Sequence, residues 1–153
     1  MIDLRNKRYV ILEVIPTNMD PAKGKVVQIS ALKINGIILE ERFDYRLNKN
    51  KISAYDILKM IDYDNESFKY LEDSNEILKE FGVFAEGLPL LIIDNAYTRS
   101  YLSGFSNVKE SIFSYLNMKM SDDVFDKLVK KYHLEPSNHL VDLLYEALIR
   151  ELN

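Results

Sequence analysis

The sequence predicts an α/β domain in which three β-strands come first and helices with further strands follow. Two apolar runs near the N-terminus are joined by the dipeptide Asn35-Gly36, which is the strongest short signal for a β-hairpin. A continuous apolar run at residues 88–93 is typical of a strand buried on both faces of a parallel sheet. Apolar residues recur at helical spacing through much of the second half, so we expect helices to flank this sheet.

Length and composition fit one globular domain that spans residues 1–153. No apolar run approaches the roughly 20 residues that a membrane span needs, and no apolar signal region follows the charges at the N-terminus. Together with the absence of cysteine, these features predict a cytoplasmic protein with no membrane partner, no disulfide and no thiolate site. The net charge of −4 argues against a basic surface over the whole protein, although basic residues can still be segregated on one part of it.

In the first half we expect an antiparallel meander with strands at residues 9–15, 26–34 and 37–43. A helix is predicted at residues 54–63, with Ser53 as its N-cap. A second helix is predicted at residues 74–84, with Ser74 as its N-cap.

The connections after the first and third predicted strands are rich in lysine. The four residues are Lys23, Lys25, Lys49 and Lys51. They are the best candidates for a small basic patch that binds a partner, with Lys23 and Lys25 foremost. The alternative interpretation is that they only keep two loops in water, and the sequence leaves both interpretations open.

In the second half helical spacing predicts helices at residues 95–105, 107–116, 122–132 and 138–152. Tyr97, Tyr101 and Phe105 recur every four residues in the first of these helices. They either stack on nucleic-acid bases or pack in the core. The core stripe of the last helix is predicted at Leu140, Leu144, Ala147 and Leu148.

One acid, Glu13, lies at the centre of the first apolar run. Burying a carboxylate without a partner is costly, so this residue requires a metal ion, a polar partner or access to solvent. The alternative is a strand whose outer face is simply solvated.

The spacing of several motifs resembles that of the DnaQ-like (DEDDh) 3′–5′ exonucleases. Glu13, Asp20-Pro21, Gly24-Lys25 and residues 26–29 stand where that family has its first motif and the strand after it. Residues 88–96 resemble the family's fourth strand and the turn behind its second motif, and residues 137–148 resemble its last motif. The resemblance implies a ribonuclease H-like fold with a central mixed five-stranded sheet, in which three antiparallel strands are followed by parallel strands.

The same resemblance implies a divergent member of that family with an incomplete catalytic set. The family binds two divalent metal ions with four acids and uses a histidine as general base. Two positions keep an acid, Glu13 and Asp142. The positions that have lost the family residue are Ile15 and Arg99, where ligands belong, and Ser137, where the base belongs.

Three further residues remain candidates for a role at such a site. His139 lies three residues before Asp142, which permits the same helix face, so it is a possible displaced base. Asp94 is a possible third metal ligand with Glu13 and Asp142, and Asn95 in the same turn is a possible binding residue.

Three hypotheses follow for the function. The first is a catalytically eroded exonuclease-like domain that binds single-stranded nucleic acid or a replication or repair protein, with Arg99 paired to Glu13 or Asp142 in place of a metal ion. The second is an active phosphodiesterase that uses Mg²⁺ or Mn²⁺ held by Glu13, Asp94 and Asp142. The third is a protein–protein scaffold or homodimer without a nucleic-acid role.

Overall fold

The computed structural model describes residues 3–18, 20–53, 67–92, 96–116, 124–136 and 139–153. Within these ranges one mixed sheet has the strand order β4-β3-β2-β1-β5-β6. The strands are β1 (Arg8–Pro16), β2 (Val26–Asn35), β3 (Ile38–Leu47), β4 (Lys69–Leu71), β5 (Leu90–Ile92) and β6 (Val108–Ser111). The described helices are α1 (Ser74–Ala85), α2 (Ala96–Tyr101), α3 (Ile112–Tyr115), α4 (Val124–Tyr132) and α5 (Leu140–Leu152). Single 3-10 turns lie at Leu4–Asn6 and Lys49–Lys51.

The predicted α/β class and the predicted meander are confirmed. β1 pairs antiparallel with β2, and β2 pairs antiparallel with β3. Gly36 turns the β2–β3 hairpin with φ of +66°, a conformation that glycine adopts without steric cost. β5 runs parallel to β1, and β6 runs parallel to β5. To the five strands expected, the structure adds a short sixth, β4, parallel to β3 at the edge of the sheet.

Apolar side chains cover both faces of the sheet. On one face, Ile11 and Leu32 pack against α4 and α5, and the four predicted core residues of α5 are all buried there. On the other face, Leu12 and Ala31 pack against α1. Because side chains alternate between the faces of a strand, each central strand contributes to both cores.

Three predictions about the helices need correction. The N-cap of α1 is Asp73 rather than Ser74, because the Asp73 side chain accepts a hydrogen bond from the Asn75 amide. The helix expected at 95–105 ends at Tyr101. The segment expected as a helix at 107–116 is half strand, because β6 pairs with β5 before Ser111 caps the short α3.

Some predictions fall outside the described residues. The helix at 54–63 lies there, as do residue 93 of the fourth predicted strand and the first two residues of the helix at 122–132. Within the described ranges, no helix combines the length and the apolar character needed to cross a membrane.

Candidate functional site

A group of polar side chains interrupts the apolar surface of the sheet below the first turn of α5. Glu13 on β1 is the register partner of Ser30 on β2, and Ser30 is the partner of Asp44 on β3. The next row toward the end of β1 contains Ile15, Gln28 and Arg46 in the same way. Since these residues alternate with the core residues of the opposite face, both rows lie on the side that α5 covers.

Glu13 is a buried acid in this group. The residue as a whole is only half-buried, but its carboxyl lies far enough inside the protein that burial raises its pKa to about 7. Among the described residues no hydrogen-bond donor to this carboxyl is present. A raised pKa without a compensating cation is the expected result of removing a carboxylate from water, so a large fraction of Glu13 is protonated at neutral pH.

Arg42 connects the sheet to α5. Its two terminal nitrogens donate to the two carboxylate oxygens of Asp142, at 2.6 and 3.3 Å. Its Nε donates to Asp44 Oδ2 at 3.2 Å. The hydrogen bond to Asp142 is the main cause of a raised pKa for Arg42. One guanidinium thus bridges an acid on a strand and an acid on a helix, and such a two-pronged contact with a carboxylate is geometrically specific.

Arg99 was proposed as a possible partner of Glu13 or Asp142, and the described partner of Asp142 is instead Arg42. Arg99 is an exposed residue of α2. This helix leads into Leu102, which belongs to the core on the α1 side of the sheet. Arg42 instead projects from β3 toward α5, and it therefore reaches Asp142 in the first turn of that helix.

The two carboxylate oxygens of Asp44 differ in their hydrogen bonding. Its Oδ2 accepts from Arg42, but its Oδ1 is buried and has no hydrogen-bond partner in the described part of the chain. Buried polar atoms normally have a partner, so Asp44 can accept a further hydrogen bond at this oxygen.

Arg46 and Phe68 flank this group of polar side chains. Arg46 is buried, donates from Nε to Gln28 Oε1 at 2.7 Å, and stacks its guanidinium 3.8 Å from the centroid of the Phe68 ring. Gln28 in turn donates to Ser30 Oγ at 2.9 Å. His139 precedes α5, and its ring centroid lies 6.1 Å from that of Phe68. The structure therefore brings His139 to the same end of α5 as Asp142, against an aromatic ring.

Sequence reasoning missed most of this group, although a signal for it exists. Gln28 and Ser30 are two polar residues at alternate positions of an otherwise apolar strand. Arg42, Asp44 and Arg46 repeat the same spacing on β3. Alternation with a period of two on neighbouring strands places polar residues on one face of a sheet.

The residues proposed as metal ligands are only partly within the described chain. Glu13 and Asp142 lie on the same side of the sheet, but Asp142 is already bound by Arg42. Asp94, Asn95 and Ser137 lie outside the described residues. Among the residues that are described, no three His, Cys, Asp or Glu side chains are grouped closely enough to hold a metal ion.

The lysine-bearing connections lie close together. Lys25 Nζ donates to the backbone carbonyl of Lys51, so the loop after β1 touches the 3-10 turn after β3. Tyr101 donates its hydroxyl to the carbonyl of Asn18 at 2.7 Å. Burial, and secondarily the charge of Asp20, raises the pKa of Tyr101, so this hydroxyl stays a donor.

The aromatic stripe predicted on the helix at 95–105 serves the core where it is described. Tyr101 and Phe105 pack against the core on the α1 side, so these two rings are not free to stack on bases.

No protein-family model and no curated protein matches the chain. The chemistry of the polar group is therefore the main basis for a functional argument.

Proposed function

We propose that this chain is a ribonuclease H-like domain that has lost two-metal catalysis and acts in nucleic-acid metabolism by binding. Its partner is a single-stranded nucleic acid or a protein of replication or repair. The observation that carries the proposal is the bridge from Asp44 through Arg42 to Asp142.

The strand arrangement supports the ribonuclease H-like part of the proposal. The order β3-β2-β1-β5-β6 has three antiparallel strands followed by two parallel ones, as the resemblance to the exonucleases implies. The helix with the last retained acid, α5, packs on β1 and β2. Fold similarity alone does not determine activity, so the catalytic part of the proposal depends on the polar group.

The charges in that group support the loss of catalysis. Two-metal hydrolysis needs carboxylates that hold two cations about 3.5–4 Å apart. Here Asp142 is bound by a guanidinium, whose charge cannot be titrated away near neutral pH. Glu13 has a pKa of about 7, so at neutral pH part of it offers a neutral carboxyl to a cation. Beside it, Ile15 supplies an apolar wall where the family has a ligand.

A cleavage assay tests the absence of catalysis. The protein is incubated with a 5′-labelled single-stranded oligonucleotide and Mn²⁺, beside an Asp142→Ala variant. We expect the wild type to leave the strand intact. Stepwise shortening by the wild type but not by Asp142→Ala would show that the site is active, and the second hypothesis would then replace this one.

A second experiment tests Arg42 as the substitute for a cation. In Arg42→Ala, Asp44 and Asp142 lose their shared positive partner, so we expect a lower melting temperature that added Mn²⁺ partly restores. Mn²⁺ should leave the melting temperature of the wild type unchanged. The matched control is Arg8→Ala, which removes an arginine bound to Glu40 and Glu86 elsewhere. If Mn²⁺ stabilises the wild type as strongly as Arg42→Ala, a metal site persists beside Arg42.

A further inference from the structure

The strands β1 and β3 run in the same direction, so their carboxyl ends lie along the same border of the sheet. Four lysines lie in the connections that follow these ends. Both strands are antiparallel to β2, so the connections that follow them leave the sheet at one edge. The first connection carries Lys23 and Lys25, and the 3-10 turn Lys49–Lys51 carries the other two. We call Lys23, Lys25, Lys49 and Lys51 the lysine edge. All four residues are exposed.

Hydrogen bonds join the described residues of the loop before β2 to one another. Thr17 and Lys25 close its base, because the Thr17 amide donates to the Lys25 carbonyl and the Lys25 amide donates to Thr17 Oγ1. Inside the loop, the amides of Lys23 and Gly24 both donate to the carbonyl of Asp20, at 2.9 and 3.0 Å.

Two contacts then fix this loop to the rest of the protein. On one side Tyr101 donates to Asn18, and Gly24 packs so closely that a Cβ there would lie 2.5 Å from Tyr101 Oη. On the other side Lys25 donates to the carbonyl of Lys51. These contacts hold the backbone that carries Lys23 and Lys25 beside the turn that carries Lys51 before any ligand binds, which lowers the entropic cost of binding.

We propose that the lysine edge holds the phosphodiester backbone of a single-stranded nucleic acid, with Tyr101 as a positioning residue. This inference rests on the proposed function and names its partner. It also explains how a chain of net charge −4 can bind a polyanion, because the positive charge is concentrated at one edge. Two acids among the described residues lie near these lysines. Asp20 accepts with its carboxylate from the Ala22 amide, and Glu72 binds Asn48 and lies 4.0 Å from Lys51 Nζ.

Salt-dependent binding of a labelled oligothymidylate tests the lysine edge. Each phosphate contact on a single strand contributes about 0.7 to the slope of log affinity against log salt. For Lys23→Gln/Lys51→Gln we therefore expect a slope that is shallower by about 1.4 and roughly tenfold weaker binding at low salt. The control Lys79→Gln/Lys130→Gln removes two exposed lysines from α1 and α4 and should bind like the wild type.

The outcomes separate this inference from the proposed function. If the wild type binds and both double variants bind equally well, the nucleic-acid surface lies elsewhere, and only the lysine edge is rejected. If the wild type does not bind the oligonucleotide at any salt concentration, the lysine edge is rejected together with the nucleic-acid partner. The cleavage and Mn²⁺ experiments on Arg42 remain valid in either case.

Tyr101→Phe tests the positioning role without changing any charge. We expect severalfold weaker binding and a shallower salt slope, since the loop with Lys23 and Lys25 loses its hydrogen bond to Tyr101. Tyr145→Phe is the matched control, because Tyr145 also donates to a backbone carbonyl, that of Ile37, at 2.7 Å. A general loss of stability would not alter the salt slope of the folded protein, so an unchanged slope in Tyr101→Phe would rule out the positioning role.

Discussion

At the scale of single residues, Glu13 couples the stability of the protein to pH. Its pKa is about 7 in the folded chain and has an ordinary value of 4.5, which we take for the unfolded chain. Above pH 4.5 the unfolded chain therefore loses this proton first, and the folded state becomes relatively less stable. The effect grows until the pH passes 7 and then stays constant. At about 1.4 kcal/mol per pH unit between pH 4.5 and 7, its upper limit is about 3.5 kcal/mol.

Glu13→Gln tests this coupling with a neutral residue of nearly the same shape. We expect the variant to be more stable than the wild type at pH 8, by up to about 3.5 kcal/mol. At pH 4.5 the two proteins should differ little. Urea unfolding at both pH values measures the difference, and Glu135→Gln, an exposed site, is the control. Equal pH dependence in the wild type and Glu13→Gln would show that Glu13 is not the residue responsible.

At the scale of elements, two of the described helices end in a left-handed residue that is not glycine. His133 follows α4 with φ of +54°, and Glu86 follows α1 with φ of +53°. This conformation costs an ordinary residue roughly 1–2 kcal/mol. The side chain of Glu86 also forms ion pairs, with Lys33 at 3.0 Å and with Arg8 at 3.5 Å.

We expect His133→Gly to stabilise the protein by about 1 kcal/mol, because glycine adopts this conformation freely. Glu86→Gly has the same benefit for the backbone but removes two ion pairs and leaves the buried Lys33 with Glu41 alone among its described acidic partners. We therefore expect a smaller gain or a net loss at Glu86. Chemical denaturation of both variants decides the matter, and equal gains at both sites would mean that the Glu86 ion pairs contribute little.

At the scale of the whole molecule, one sheet supports two cores. Phe81 lies in the core on the α1 side, and Leu144 lies in the core on the α5 side. Because β1 and β2 contribute to both, we expect the protein to unfold in one cooperative transition, as a single domain does.

Phe81→Ala and Leu144→Ala test this cooperativity from the two faces. Each should lower the free energy of unfolding by about 2–5 kcal/mol and keep a single transition, followed by circular dichroism and by tyrosine fluorescence. Val83→Ala, which alters a side chain that is 70% exposed, should change stability by less than about 0.5 kcal/mol. Separate transitions in either core variant would mean that the two faces fold independently.

Local patterns predicted much of this fold. The dipeptide Asn35-Gly36 correctly predicted the β2–β3 hairpin, and helical spacing correctly predicted the buried residues of α5. The same spacing failed at residues 107–116, because pairing with β5 makes Val108–Ser111 a strand, and short apolar segments do not distinguish strand from helix.

At the site, contacts between residues far apart in the sequence were the feature that the sequence did not predict. Glu13 and Asp142 were identified from the sequence, and the structure places both on the side of the sheet that α5 covers. Arg42 was not identified from the sequence, because its partner Asp142 is 100 residues away. No periodicity within one segment connects two residues so far apart.

That separation has a consequence for the order of folding. The β1–β2–β3 meander joins neighbouring segments, so its contacts form at a small cost in loop-closure entropy. The contact between Arg42 and Asp142 closes a far longer loop and can form only when α5 docks. Until then Glu13 and Asp44 face water, where carboxylates ionise at ordinary pH. We therefore expect docking of α5 to be accompanied by proton uptake at Glu13, so that the rate of this step depends on pH near neutrality while the formation of the meander does not.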